Sequence, residues 1–167
     1  MSSLNIEIRP ITPPDVPAIS ALAREIWLAT YPGIITQAQI DFMLEQRYGH
    51  ERLYDDLEDA EKWLDQAFLD GRRIGFAFSE IYKGEFKLDK LYIHPDVQRK
   101  GVGGQLIAHV AERARKLDYP CVVLAVNKRN EKAIGSYKKY GFAVREAIVD
   151  DIGGGFVMDD YIMEKKL

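Results

Sequence analysis

Residues Gln98-Arg99-Lys100-Gly101-Val102-Gly103-Gly104 decide how the rest of this 167-residue chain is read. They form a basic, glycine-rich turn between an apolar stretch ending at Ile93-His94-Pro95 and an amphipathic segment carried by Leu106, Ile107, Val110, Ala111, Ala114 and Leu117. Glycine reaches backbone angles closed to other residues and lets a ligand approach the main chain. The first N–H groups of a helix lack intrahelical partners and carry partial positive charge. Arg99 and Lys100 add full charges beside those dipoles, so the turn is suited to hold phosphate groups.

The neighbouring segments follow from periodicity and turn chemistry. Before the turn, Ile6, Ile8 and Arg9-Pro10 read as a short strand, and Thr12-Pro13-Pro14-Asp15 as a stop and a helix start. That helix runs to about Thr30 and breaks at Tyr31-Pro32-Gly33. A second helical region covers roughly Gln37 to Leu57, with an interruption near Tyr48-Gly49-His50. Trp63 to Phe68 and Arg73 to Tyr82 flank Asp70-Gly71, a tight-hairpin dipeptide, and Phe86, Leu88 and Leu91-Tyr92-Ile93 add a third strand after Lys83-Gly84-Glu85. Beyond the glycine turn the spacing predicts a helix, then a buried strand at Cys121 to Val126, which implies a parallel crossover. Asn130 caps the next helix, Gly141 ends it, and Phe142 to Val149 with Phe156 to Met163 form a last hairpin around Asp150 to Gly155.

Composition bounds the function. A chain of 47% hydrophobic and 29% charged residues with no long apolar run is globular, and it predicts one domain over residues 1–167 with no membrane span. A net charge of −3 argues against non-specific nucleic-acid binding, which needs a basic footprint. The lone Cys121 has no internal disulfide partner, and Met1 to Glu7 lacks the basic start and apolar run of a secretory signal, so a cytoplasmic location is expected. His50, His94 and His109 show no ligand spacing with one another or with Cys121, so no metal is expected. His94 reads as a strand-end residue, His109 as a helix-surface one, and Cys121 as packing.

The glycine turn does not match the commoner nucleotide motifs. No Gly-x-x-x-x-Gly-Lys-Ser/Thr string exists, and the dinucleotide fingerprint fails because Leu106 follows Gly101 and Gly103 and no acidic residue ends the next strand. The order of parts is more specific. Leu91-Tyr92-Ile93-His94-Pro95, Gln98-x-x-Gly101-x-Gly103, a helix, an apolar strand, Asn127, Asn130-x-x-Ala133-x-x-x-Tyr137 and Gly141-Phe142 together resemble the Gcn5-related N-acetyltransferase superfamily. The likeness is specific over residues 86–142. Tyr137 to Phe142 and Asp160 to Met163 are also similar to bacterial polyamine acetyltransferases of the PaiA type.

The resemblance implies an α/β fold: a mixed, mostly antiparallel sheet with helices on both faces and a splayed parallel strand pair. It implies acetyl-CoA as co-substrate, with its pyrophosphate on Gln98, Arg99, Lys100, Gly101, Val102, Gly103 and Gly104. The pantetheine arm would lie along the main chain of Leu91, Tyr92 and Ile93 and against Asn130, and Tyr137 would serve the departing sulfur. The implied reaction is direct transfer to a primary amine in a ternary complex. The acceptor is a small molecule or a protein amine, and the protein a monomer or homodimer. A non-catalytic acetyl-CoA sensor is the alternative.

The amine must lose a proton before it attacks. For a lysine-like amine of pKa about 10.4 this costs roughly 4 to 5 kcal/mol at pH 7. Histone-type members of the superfamily supply a glutamate where this chain has Lys87, so Asp89, two residues on, is the expected base. Trp27, Tyr31, Glu25, Asp41 and Glu45, with Asp150, Asp151, Asp159 and Asp160 from the last hairpin, are the expected aromatic and acidic acceptor surface.

Overall fold

The computed structural model describes residues 5–167, so the N-terminal segment read for a secretory signal lies partly outside them. The elements are β1 (Glu7–Pro10), α1 (Val16–Thr30), α2 (Gln37–Tyr48), α3 (His50–Glu58), β2 (Lys62–Leu69), β3 (Arg72–Tyr82) and β4 (Glu85–Ile93). After the glycine turn come α4 (Val102–Lys116), β5 (Cys121–Asn127), α5 (Glu131–Lys139), β6 (Ala143–Gly153) and β7 (Phe156–Lys166). Among the described residues the strands form one sheet in the order β1-β2-β3-β4-β5-β7-β6, antiparallel except for the β4–β5 pair. This is the mixed sheet expected from the sequence. The last hairpin is longer than expected, because Asp150 to Gly153 continue β6 instead of forming the loop.

Local chemistry explains the elements. Thr12 donates its N–H and hydroxyl to Asp15, both at 2.8 Å, closing the turn that starts α1. Asp70 and Gly71 adopt φ values of 50° and 79°, the left-handed pair that a two-residue hairpin needs. Gly49 separates α2 from α3, as the sequence predicts. One sheet face is covered by α1 to α3, whose Ile19, Ile26, Trp27, Ile40, Met43 and Leu53 pack with Phe76 and Phe78. The other is covered by α4 and α5, with Leu106, Ile107, Val110 and Ile134 packed with Phe86, Leu88, Val122 and Leu124.

A β-bulge interrupts β4 midway along the strand. Phe78 pairs with Lys90 and Ser79 with Leu88, so Asp89 is left without a partner on β3. The side-chain alternation is reset there. Phe86 and Leu88 belong to the α4 face, whereas Tyr92 packs on the α1 face and Lys90 lies over the Tyr48 and Phe78 rings. A bulge bends and twists its strand. Past this point β4 diverges from β5, and the two are paired only at Phe86 with Val122 and Lys87 with Val123.

α4 is anchored to the sheet by an ion pair between a half-buried arginine and a buried aspartate. Asp65 on β2 is 2% exposed and accepts from both terminal nitrogens of Arg113, at 2.7 and 3.2 Å, with His109 Nε2 3.7 Å away. Removing one partner of such a pair leaves a buried charge uncompensated and typically costs about 3 to 5 kcal/mol. Arg113→Met is therefore expected to lower unfolding free energy by about 3 kcal/mol in urea titrations. The double variant Asp65→Leu/Arg113→Met should recover most of that loss.

Candidate active site

The glycine turn folds into a concave cradle. Arg99 and Gly101 adopt left-handed φ values of 62° and 83°, and Gly101 caps the N-terminus of α4. Left-handed residues alternating with residues of negative φ can turn N–H groups to one side, a geometry that binds anions. The Gln98 amide donates to the Ile93 carbonyl at 3.1 Å and accepts from Lys132 Nζ at 2.6 Å, tying the turn to the end of β4 and to α5.

Four of the seven residues, Gln98, Arg99, Gly101 and Gly103, line a cavity of about 1010 Å³. A Cβ added to Gly103 would meet nothing within 4 Å, so its backbone is open to a ligand. The other three residues do not line it. Val102 is buried in the α4 core, and Lys100 is exposed outside the cavity. A Cβ on Gly104 would lie 2.6 Å from Tyr140 Cε1, so glycine there serves the contact of α4 with Tyr140, just past α5.

From the cradle the cavity passes between the diverging strands. Leu91, Tyr92 and Ile93 form one wall and Val123 to Asn127 the other. Asn130 caps α5 by accepting from the Ala133 N–H at 3.3 Å, and Tyr137 projects from that helix beside Phe142, with ring centroids 5.6 Å apart. Both line the cavity. Burial pushes the Tyr137 phenol up, and the nearby Tyr31 hydroxyl adds to the effect. The Tyr31 and Tyr92 hydroxyls share a hydrogen bond of 2.8 Å, with the Asn130 side chain also acting on Tyr31. One contact was not legible in the sequence: Arg129 donates to the Gly33 and Ile34 carbonyls, both at 2.7 Å, fastening the α1–α2 loop beside the tyrosines.

The far end of the cavity carries charge. Arg47, Lys87, Asp89, Lys90, Asp150 and Asp160 line it, and an adjoining cavity of about 410 Å³ adds Arg52, Glu80 and Asp151. The expected base is compromised. Asp89 lies 2.6 Å from Lys90 Nζ and 3.5 Å from Lys87 Nζ. Burial alone would raise its carboxyl, but the two ammoniums outweigh it and hold the group well below the usual carboxylate range. So weak a base accepts a proton poorly. Asp160 goes the other way: burial pushes it up to about 6, and its Oδ1 is buried without a hydrogen-bond partner.

The expected acceptor surface is only partly assembled. Asp150 and Asp160 line the cavity, while Asp159 pairs with Lys128 at 2.6 Å and Asp151 accepts from the Gly153 N–H at 2.9 Å. Trp27 and Tyr31 are buried wall residues, their rings tilted at 41° with centroids 4.4 Å apart. Glu25 turns away to His94, 2.7 Å from Nε2, and Asp41 takes the Gln37 amide at 3.0 Å. His94 is thus a buried, bonded residue and not merely a strand end. Arg47 was missed, since nothing in the α2 sequence marks which of its polar residues faces the sheet.

Comparison with known proteins agrees with this geometry. The pattern of the Acetyltransferase (GNAT) family matches residues 21–142. A spermidine N(1)-acetyltransferase from Thermoplasma acidophilum is 30% identical over 167 residues, covering 98% of each chain. A peptidyl-lysine N-acetyltransferase, YjaB, from Salmonella typhimurium is 36% identical over 104 residues, 62% of this chain and 65% of that one. Among solved structures, the PaiA N-acetyltransferase of Thermoplasma acidophilum in complex with coenzyme A superposes with a TM-score of 0.84 at 28% identity, over 98% of this chain and 100% of that one. The chain belongs to the Gcn5-related N-acetyltransferase family.

Proposed function

We propose that the protein transfers the acetyl group of acetyl-CoA to a primary amine of a small cationic acceptor, with polyamines the preferred class, by direct transfer in a ternary complex. The observation that carries this reading is the continuity of one cavity, from the open cradle at Gly101 and Gly103, past Tyr137, to the charged face at Asp160. The cradle suits a pyrophosphate by its inward N–H groups and Arg99. The separated edges of β4 and β5 have main-chain groups free to pair with pantetheine amides, and a β4 N–H near Leu91 to Ile93 would polarise the thioester carbonyl.

Tyr137 is assigned to the sulfur as a hydrogen-bond donor. A phenol of pKa about 10 giving its proton outright to a thiolate of about 8.5 costs roughly 2 kcal/mol. Burial raises the Tyr137 phenol further, so sharing the proton is favoured over early transfer.

The acceptor end supports a small molecule. Gln39 and Gln46 of α2 donate to the Val157 and Ile152 carbonyls at 2.9 and 2.8 Å, and Phe42 packs on Phe156, with centroids 5.2 Å apart. These contacts close α2 onto the β6–β7 hairpin. The similarity to a spermidine acetyltransferase over nearly the whole chain supports polyamines as the first acceptors to test. A cytoplasmic location, where polyamines and acetyl-CoA meet, completes the proposal.

The direct experiment is an acceptor panel of polyamines, aminoglycosides and lysine- or N-terminal-amine peptides, monitored by release of free CoA. Fastest turnover with a polyamine is expected, whereas preference for peptides would refute the acceptor class, and binding of acetyl-CoA without any transfer would refute the activity. Gly103→Glu places bulk and negative charge in the cradle and should abolish calorimetric binding of acetyl-CoA. Tyr137→Phe should lower kcat by about 10²-fold with little change in acetyl-CoA affinity. An unchanged kcat would remove Tyr137 from the chemistry.

A further inference from the structure

Asp160 occupies a position whose chemistry is unfinished in the free protein. It sits on β7 opposite Asn127, at the end of β5 where β4 has already separated. It is 7% exposed and lines the cavity, and its Oδ1 finds no hydrogen-bond donor among the described residues. A buried carboxylate oxygen without a donor loses its hydration with nothing in return. By contrast, both Asp89 oxygens face an ammonium.

We propose that Asp160 is the catalytic carboxylate that receives the acceptor's ammonium group and removes its proton. The assignment rests on the reading that this end of the cavity takes an amine. Asp160 and Tyr137, whose phenol is assigned to the sulfur, line the same cavity, with Tyr31 also in its wall. Protons and bonds balance in two moves. The ammonium gives one proton to Asp160 and thence to solvent. The free amine then forms the C–N bond as the C–S bond breaks, and the second nitrogen proton passes to the sulfur through the Tyr137 hydroxyl. The products are the amide, CoA thiol and one released proton.

The surroundings keep Asp160 a usable base. Arg47 from α2 and Lys87 from β4 favour its charged form, while burial, Asp150 from β6 and Asp159 on its own strand oppose it. The result, a carboxyl of about 6, is ionised at neutral pH yet far more basic than Asp89. With Asp160 the pH profile of kcat/KM therefore rises through about 6 as the carboxyl ionises.

The test compares wild type, Asp160→Asn and Asp160→Glu with two acceptors: the best alkylamine of the panel and a neutral alkoxyamine that needs no deprotonation. With the alkylamine, Asp160→Asn should lose about 10²-fold in kcat/KM and the rise near pH 6, and Asp160→Glu should recover part of both. With the alkoxyamine the loss should shrink to within about tenfold. Calorimetric acetyl-CoA binding by each variant shows that the site is folded.

A folding readout is independent of turnover. A carboxyl raised in the folded state takes up a proton on folding between its unfolded and folded pKa values, so its stabilisation is gained on lowering pH and lost above about 6. Asp160→Asn should thus melt above wild type at pH 8, with the gap closing toward pH 4. Equal losses with both acceptors, an unchanged pH profile, or a lower melting temperature at pH 8 would each overturn the assignment. If wild type acetylates no amine, the acceptor reading fails and the role of Asp160 falls with it. If it does and Asp160→Asn matches it, only the role of Asp160 fails.

Discussion

The site depends on one interruption in strand pairing. β4 and β5 share two registered pairs and then part at the bulge that leaves Asp89 unpaired. Backbone groups in a protein interior need partners, and separated strand edges leave theirs available. β3 holds the other edge of β4 on both sides of the bulge, while β7 pairs β5 from Cys121 to Asn127. The gap is therefore held open by ladders on both outer edges rather than by loops. It runs from the glycine cradle at the start of α4 to the charged face beneath α2.

The same bulge sorts the charges. By resetting the alternation it places Lys90, 5% exposed, on the α1 face over two aromatic rings, where Asp89 neutralises it. Asp89 thereby spends its basicity on structure. Asp160, from a strand on the far side of the gap, has no such partner among the described residues and retains an unsatisfied Oδ1.

Much of this was legible in the chain. The turn at Gln98 to Gly104, with Asn130 and Tyr137 at fixed distances beyond it, pointed to the family, because that pattern rests on backbone conformation and helical spacing. The hairpins at Asp70-Gly71 and Lys83-Gly84 were equally readable, since their left-handed angles restrict the residues they accept. The bulge was not, because a period-two pattern carries no mark of one extra residue. The lysine partners of Asp89 were hidden for the same reason, since which carboxylate meets a lysine depends on that register. Gly104 looked like a phosphate glycine, but its missing side chain makes room for Tyr140, a contact between segments distant in sequence. Arg129, clamped on the α1–α2 loop, likewise joins parts that no local pattern connects.

Amide hydrogen exchange with and without acetyl-CoA addresses the open gap most directly. Titrating the donor should slow exchange at amides of residues 91–93 on β4, 124–127 on β5 and 101–104 at the cradle, with little change along the β2–β3 ladder. Protection confined to the cradle, with the two strand edges exchanging as fast as in the free protein, would contradict the view that this interruption in pairing is the donor's seat.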